Sequence, residues 1–301
     1  MWKTLPKGLY APLTVLFNAE DEIDYQAFAN HAKYVTAPGV LPVVSASMGE
    51  AVHLTPQERI KLIQTLRNTL DSNGLQKTPI VAGVGGNSTR ETIQLARDAA
   101  SAGADFALVI APGYWAGYLK GNPTAAKKFF VDVAAGSPIP VVIYNFPPVA
   151  AGIDLESDEV AASAEHGNVG KLARIAALLD GSSFTTLAGL IDFLLPSIVV
   201  GSAGAISPLP NIAPKFSMKL WGLTNNLETK ADSSKAQKAQ GAASLAESAL
   251  LKSGVPGLKG LLNRDFGYPA TPRLPLLAYV DVTKLAENKY ISDIPALENA
   301  L

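Results

Sequence analysis

The chain has 301 residues, of which 48% are hydrophobic and 17% charged, so it can bury a large core within one α/β barrel domain. Its 25 lysines and arginines are scattered among 26 acidic residues, and the net charge of −1 argues against nucleic acid or an anionic membrane as a partner. The sequence contains no cysteine, which excludes disulfides and thiolate chemistry. Because it shows neither a long apolar run nor a signal-peptide pattern, we expect a cytoplasmic protein.

Short β-branched runs alternate with helical patterns along most of the chain. Two helix starts carry capping boxes, TPQE at 55–58 and STRE at 88–91, and the second helix is predicted to end at Gly103. This alternation indicates a parallel sheet covered by helices, either closed as a (β/α)₈ barrel or open and doubly wound. The predicted strands are 8–17, 40–46, 79–84, 106–111, 139–146, 184–189 and 204–207.

Closing a barrel requires an eighth strand, and the only plausible run between the fifth strand and 184–189 is NVGKLA at 168–173. Beyond Trp221 the pattern becomes helical and rich in alanine. We therefore predict a (β/α)₈ TIM barrel over residues 1–222, with its sixth-strand region shortened or missing. Residues 223–301 are predicted to form a C-terminal helical extension of the same domain.

Candidate catalytic side chains follow three of the predicted strands, at the ends where active sites of barrels collect. The second strand leads into a small-residue turn, Ser45–Glu50, whose backbone N–H groups are suited to a carboxylate. Tyr114 follows the fourth strand and Tyr144 ends the fifth, which predicts a proton relay between two tyrosines. The alternative for each tyrosine is a packing role in the core.

Other chemistries lack their sequence patterns. GVGGNSTRE at 83–91 is glycine-rich, but it has neither the lysine of a P-loop nor dinucleotide-site spacing. The three histidines, His31, His53 and His166, lie outside metal-ligand spacing of one another. No GxSxG elbow of a serine hydrolase occurs. We therefore expect neither a metal nor an organic cofactor.

Taken together, several motifs resemble the dihydrodipicolinate synthase and N-acetylneuraminate lyase family over nearly the whole chain. The resemblance implies a (β/α)₈ barrel with added C-terminal helices, often a homotetramer, and class I aldolase chemistry. In such an enzyme a lysine on the sixth strand forms a Schiff base with pyruvate or another 2-oxo acid, without a cofactor. The motifs, in family order, include GLYAPLTVLF, SASMGEAVHLTPQER, GVGGNSTRETIQLA, APGYW, VVIYNFP, LAG, GAIS and GVPGLKGLLNRDFGY.

The resemblance also implies roles for individual residues. Tyr144 is similar to the family tyrosine that moves protons, Tyr114 to its relay partner, and Ser47 to the hydroxyl that links them. Gly189 and Ile206 resemble residues that line the pocket at the ends of the last two strands.

Two departures from the family pattern bear on substrate binding. Met48 stands where the carboxylate-gripping turn usually has a second hydroxyl residue, which removes one hydrogen-bond donor. The segment PVAAG at 148–152 lacks the arginine of dihydrodipicolinate synthases. We therefore expect cleavage of 2-keto-3-deoxy sugar acids or 4-hydroxy-2-oxoglutarate, as in the aldolase-like members, rather than dihydrodipicolinate synthesis.

The Schiff-base lysine depends on how EHGNVGKLAR is aligned, because about ten residues of the family pattern are absent between the fifth and seventh strands. In one alignment NVGKLA is a shortened sixth strand and Lys171 is the catalytic amine. In the other, GNVGKLAR begins the helix after that strand, and the strand with its lysine is missing. Our prediction follows the first, with Lys171, Tyr144, Tyr114 and Ser47 as catalytic residues. The second would indicate a catalytically impaired protein that binds keto acids or acts as a scaffold.

Overall fold

The computed structural model describes residues 4–155, 164–165, 168–179, 184–279 and 281–299. Seven parallel strands form one curved sheet in the order β6-β5-β4-β3-β2-β1-β7. The strands are β1 Gly8–Pro12, β2 Leu41–Val44, β3 Val81–Gly83, β4 Phe106–Ile110, β5 Val141–Asn145, β6 Ala164–Glu165 and β7 Gly204–Ile206.

Helices cover the outer face of the sheet and continue beyond the last strand. Those between the strands are α1 Tyr25–Thr36, α2 Pro56–Ser72, α3 Thr89–Ala102, α4 Ala116–Leu119, α5 Pro123–Gly136, α6 Val169–Leu178 and α7 Leu194–Val199. The C-terminal ones are α8 Pro214–Thr224, α9 Lys230–Phe266, α10 Val282–Glu287, α11 Lys289–Ser292 and α12 Ile294–Asn299. No helix within the described ranges is long and apolar enough to cross a membrane.

The helix starts predicted from the sequence are confirmed. Helix α2 begins with a complete capping box, in which Thr55 accepts from the backbone N–H of Glu58 and the Glu58 side chain accepts from that of Thr55. Ser88 caps α3 by accepting from the backbone N–H of Glu91, but the Glu91 side chain accepts from the backbone N–H of Asn87 and not from that of Ser88, so the second predicted capping box is only half formed. Helix α3 ends at Gly103, whose φ of 106° is left-handed. These caps fix where each helix leaves the sheet.

The sheet is regular from β1 to β5 and irregular after it. The predicted strand at 168–173 is wrong, because Asn168 caps α6 there by accepting from the backbone N–H of Lys171 at 2.9 Å. The sixth strand is the two-residue β6, which pairs Tyr144 with Ala164. The predicted strand 184–189 contributes a single parallel bridge from Ala188 to Ala205. In the described part of the chain no strand pairing connects β6 with this bridge. The described strands therefore form an open, barrel-like sheet.

Two layers of apolar packing hold this architecture. Inward side chains of the strands, among them Tyr10, Val43 and Phe106, fill the concave side of the sheet. Outward side chains pack under the surrounding helices. Helix α9 breaks at Gly254, whose φ of 59° and ψ of −159° are not helical, and its two parts pack beside β7 and the last helices. The C-terminal helices thus cover the side of the sheet where the strand pattern is irregular.

Candidate active site

An inner cavity of about 70 Å³ opens at the carboxyl ends of the strands. Five residues predicted from the sequence line it together: Ser47, Met48, Tyr144, Gly189 and Ile206. The remaining lining residues are mostly apolar, and they include Leu251 from the first part of α9. A small apolar cavity with a few polar groups is the usual form of a small-molecule site.

Tyr144 and Ser47 form the polar pair of this cavity. Tyr144 lies near the end of β5 and packs with the residues inside the barrel, where its hydroxyl is 3.5 Å from Ser47 Oγ. Burial raises the pKa of the Tyr144 hydroxyl to about 12, against a smaller opposing effect of the Ser47 hydrogen bond. Tyr144 is therefore protonated at neutral pH and can donate a proton to a bound molecule.

An outer cavity of about 270 Å³ adjoins the inner one and shares Ser47 and Tyr144 with it. Ser45, Glu50 and His53 supply polar groups to its lining. Apolar side chains make up much of the rest: Val52, Leu108, Ile110, Val149 and Leu276. The two cavities together provide a path from solvent to the Tyr144 hydroxyl.

A buried ion pair supports the rim of the outer cavity. Lys259 Nζ lies 2.5 Å from Glu50 Oε1, and both side chains are fully buried. Burial lowers the pKa of the Lys259 amine, although the nearby Glu50 carboxylate opposes this. Arg273 completes the cluster by donating its backbone N–H to Glu50 Oε2 at 2.9 Å and its guanidinium to Glu58. The C-terminal region is thereby joined to the turn that carries Ser47.

Lys171 lies away from both cavities. It is 2% exposed, and its amine donates to Asp154 Oδ1 at 2.8 Å and to the Leu155 carbonyl at 3.0 Å. Asn145, the neighbour of Tyr144 in β5, donates to the same Asp154 oxygen at 2.8 Å. Asn145 also lines the inner cavity, so hydrogen bonds through Asp154 and Asn145 connect Lys171 to the cavity wall, although Lys171 itself does not line it.

The Asp154 carboxylate is a fitting partner for an ammonium group. Partial burial would raise its pKa, but hydrogen bonds from Lys171 and Asn145 outweigh this and hold the pKa of Asp154 below its ordinary value. Among the described residues that line the two cavities, none is a lysine. The structure therefore does not bring Lys171 together with Tyr144 and Ser47.

Tyr114 also lies apart from the cavities. It stands on a 3₁₀ turn after β4, is 82% exposed, and packs edge-on against Trp115 with ring centroids 5.3 Å apart. It is not among the residues that line either cavity. Of the three residues expected to form the relay, the structure brings together Tyr144 and Ser47 and leaves Tyr114 apart.

The histidines do not assemble a metal site in the described residues. His31 is buried in α1 with Nε2 2.9 Å from Asn211 Oδ1, and burial lowers its pKa to about 4. His53 lies 3.1 Å from Glu50 Oε2 at the rim of the outer cavity. His166 is outside the described residues.

Ser45 in the lining of the outer cavity, and the buried Lys259 and Glu247 that contact residues beside the cavities, were not predicted from the sequence. Lys259 lies within GVPGLKGL, a motif that marked the family resemblance but suggested no role. Glu247 is fully buried in α9, where it accepts from the Asp192 backbone N–H at 2.8 Å and from the Ser207 hydroxyl. Its pKa rises to about 8, chiefly through burial. Ser45 lines the outer cavity, and nothing in the turn SASMGE distinguished it from its neighbours.

A curved parallel sheet with such a cavity at its strand ends defines a barrel-type α/β protein. Residues 5–293 match the dihydrodipicolinate synthetase family, and the chain belongs to this family.

Two fungal relatives are similar over most of their length. One, named "Probable 4-hydroxy-2-oxoglutarate aldolase, mitochondrial", is from Emericella nidulans; it is 36% identical over 310 aligned positions, covering 99% of this chain and 98% of the relative. The other is the L-threo-3-deoxy-hexylosonate aldolase of Hypocrea jecorina, 35% identical over 91% of each chain. The 310 positions exceed the 301 residues of this chain, so the first relative has residues without a counterpart here.

The fold has a match among solved structures. The crystal structure of a dihydrodipicolinate synthase family protein from Coccidioides immitis covers the whole of both chains, with a TM-score of 0.86 and 30% identity. The family assigned from sequence motifs is therefore confirmed by the sequence match and agrees with the fold.

Proposed function

We propose that this protein is a carbon–carbon lyase of the pyruvate-type aldolase group, which cleaves a 2-oxo acid to pyruvate and an aldehyde. The observation that carries the proposal is the inner cavity, where Ser47, Met48, Tyr144, Gly189 and Ile206 meet. Both fungal relatives are named as aldolases. The candidate substrates are 2-keto-3-deoxy sugar acids and 4-hydroxy-2-oxoglutarate.

Tyr144 and Ser47 supply the proton transfers of this reaction. A lysine amine adds to the C2 carbonyl, and Tyr144 donates its proton to the departing hydroxyl, so that water leaves and an imine forms. The resulting tyrosinate removes the proton of the C4 hydroxyl. The C3–C4 bond then breaks, its electron pair moves towards the imine nitrogen, and the aldehyde departs. Protonation and hydrolysis of the remaining enamine release pyruvate.

Lys171 remains the amine that we propose from the sequence. Its attack requires the first turn of α6 to release the amine from Asp154 and Leu155, because both hydrogen bonds hold the amine outside the residues that line the cavities. The Schiff base itself needs no metal or organic cofactor.

One observation favours a second candidate function, the binding of a keto acid without cleavage. Lys171 lies on a helix in an ion pair, and the described residues that line the cavities include no lysine. A cavity with Tyr144 and Ser47 but no amine can hold a 2-oxo acid by hydrogen bonds, yet it has no electron sink for breaking a carbon–carbon bond.

Borohydride trapping separates the two functions. The protein is incubated with pyruvate and borohydride, and peptide mass spectrometry locates any secondary amine. The lyase proposal predicts an adduct on Lys171 that Lys171→Met abolishes, with the exposed Lys128→Met as control. An adduct on another lysine transfers the catalytic role to that residue. If no adduct forms although pyruvate protects the protein against thermal unfolding, the chain is a keto-acid-binding relative.

Other features of the proposal rest on more general grounds. We propose a homo-oligomer, because Tyr114, Trp115 and Tyr118 expose a group of aromatic side chains that a second copy would cover. A closed eight-stranded barrel over 1–222, a C-terminal extension over 223–301 and a cytoplasmic location stay our predictions. The word mitochondrial in the name of one relative makes localisation a direct test of the last of these.

A further inference from the structure

We propose that the outer cavity is a subsite for an uncharged, hydroxyl-bearing carbon chain of the substrate, and that Ser45 recognises it. This inference rests on the proposed function, because the keto-acid end of the same molecule would occupy the inner cavity beside Tyr144. The outer cavity is large enough for a short carbon chain, and it begins at the shared residues Ser47 and Tyr144.

Ser45 offers a hydroxyl with no partner inside the protein. Its side chain is completely buried, it lines the outer cavity, and its Oγ makes no hydrogen bond among the described residues. A buried hydroxyl without a partner is costly, so proteins normally satisfy it. A ligand hydroxyl in the outer cavity would supply the missing hydrogen bond.

The backbone of Ser45 is also held in an unusual conformation. Its φ is 54°, in the left-handed region that residues other than glycine seldom adopt. The neighbouring strand allows this by a close approach, since a Cβ atom at Gly83 would lie 1.8 Å from the Ser45 carbonyl oxygen. Strained conformations of this kind cluster at ligand sites, where the surrounding structure maintains them.

The charges around the outer cavity disfavour a second carboxylate. Among the described residues that line it, none is a lysine or an arginine. The Arg59 guanidinium, the cation behind its wall, donates to the carbonyls of Ala51 at 2.6 Å and Gly85 at 3.4 Å. Lys259 is paired with Glu50. A carboxylate here would lose its water without gaining a cationic partner, whereas hydroxyl groups need only a hydrogen bond.

Val149 marks the position where a cation could be added. It lines the outer cavity and is 49% exposed, so a longer charged side chain can reach solvent as well as the ligand. The structure thus favours a sugar-acid chain ending in hydroxyls over a dicarboxylic acid. Ser45 and Val149 are the two positions that test this preference.

The experiment measures dissociation constants of four ligands by titration calorimetry: pyruvate, 2-keto-3-deoxygluconate, 2-oxohexanoate and 2-oxoglutarate. 2-Oxohexanoate has the same number of carbons as the sugar acid without its hydroxyls, and 2-oxoglutarate carries a second carboxylate. If the sugar acid is cleaved during the titration, kcat/KM replaces the dissociation constant for that ligand. Each variant is compared with the wild type on the same ligand.

Ser45→Ala should weaken binding of the sugar acid about tenfold, the effect of one lost hydrogen bond, and should change pyruvate and 2-oxohexanoate less than twofold. Ser45→Gly should give the same loss, and it guards against misfolding because glycine accepts a positive φ. Val149→Arg should strengthen binding of 2-oxoglutarate about tenfold while leaving pyruvate unchanged.

The subsite assignment is overturned if both Ser45 variants bind the sugar acid as the wild type does, or if they weaken pyruvate equally. It is also overturned if the wild type binds 2-oxoglutarate as tightly as it binds 2-keto-3-deoxygluconate. Failure of the proposed lyase function has a different result, since borohydride trapping would then yield no adduct with pyruvate, whereas the subsite preference is measured from the dissociation constants.

Discussion

The sheet has two regions that are built in different ways. From β1 to β5, strands of three to five residues alternate with capped helices, and their inward side chains form the cavity wall with Tyr144 and Ser47. Between β5 and β7, the described residues form only the two-residue β6 and one bridge at Ala188, and polar contacts of Lys171 and Glu247 hold the helices and turns.

The two regions therefore hold the cavity wall in different ways. In the regular region, register and apolar packing position the functional side chains. In the irregular region, buried hydrogen bonds from outside the sheet hold the turns after Gly189 and Ile206, which still reach the cavity. We therefore expect the regular region to govern chemistry and the irregular region to be sensitive to charge and pH.

The largest expected effect is on chemistry. Tyr144→Phe removes one hydroxyl and should lower turnover by about 10²–10⁴-fold, the range for a positioned acid–base group, without loss of folding. Tyr114→Phe is the matched control, and its turnover should stay within about threefold in a monomeric preparation because the side chain lies outside the cavities. Equal effects of both variants would mean that Tyr144 has no special position.

Glu247 should make stability depend on pH. Its pKa in the folded protein is about 8, above the ordinary value of 4.5, so its stabilising contribution is complete below pH about 4.5 and is lost as pH rises through about 8. Glu247→Gln removes this titration, and the amide can still bond Ser207 and the Asp192 N–H. The wild type should lose up to about 1.4 kcal/mol per pH unit relative to the variant between pH 6 and 8.

Urea unfolding of both proteins at several pH values from 6 to 9 measures this difference. Parallel stability curves would show that Glu247 is not protonated at neutral pH. A variant less stable than the wild type at pH 9 would also contradict the prediction, because the charged form of Glu247 would then be well accommodated.

Lys171 should matter for stability whatever its role in chemistry. Lys171→Met removes the ammonium group that donates to Asp154 and to the Leu155 carbonyl. The free energy of unfolding should fall by about 1–3 kcal/mol, and the partial exposure of Asp154 places the loss towards the lower end. Lys128→Met breaks an exposed pair with Asp132 and should cost less than about 0.5 kcal/mol. Similar unfolding midpoints in urea for the two variants would refute the structural role of Lys171.

The smallest effects compare helix caps of the two regions. Ser88→Ala in the regular region and Asn168→Ala in the irregular one each remove a side-chain acceptor at the start of a helix. Both should cost about 0.5–2 kcal/mol of unfolding free energy. Asn168→Ala should in addition loosen the contact between Lys171 and Asp154, which hydrogen exchange of the α6 amides would detect. Equal protection of the α6 amides in the wild type and the variant would show that the cap at Asn168 does not support the ion pair between Lys171 and Asp154.

Local signals made the regular region predictable. The capping box at Thr55, the N-cap at Ser88, the C-cap at Gly103 and the β-branched runs all act within a few residues, and the structure follows them. The cavity residues after these strands were also predicted, since the carboxyl ends of parallel strands meet on one side of a sheet.

The irregular region was not predictable in this way. A closed barrel needs an eighth strand, and this favoured the prediction of a strand at Lys171. The capping side chain of Asn168 and the helical spacing of the apolar residues Leu172 and Ile175 instead select a helix. Exposure of Tyr114 depends on how its turn leaves the sheet, which the residue type does not encode. The unpartnered hydroxyl of Ser45 and the raised pKa of Glu247 both result from burial in the tertiary structure, which the neighbouring residues in the sequence do not indicate.

The ion pair between Glu50 and Lys259 also bears on how the chain assembles during synthesis. Glu50 leaves the ribosome long before Lys259 and Arg273, its partners from the C-terminal region. Until these partners are synthesised, the Glu50 carboxylate has no cation to pair with at the outer cavity. It therefore favours an open turn in which the carboxylate stays hydrated. Completion of the outer cavity is therefore delayed until α9 and the segment with Arg273 emerge, and a chain cut short before Arg273 would leave this cavity unfinished and open to proteases.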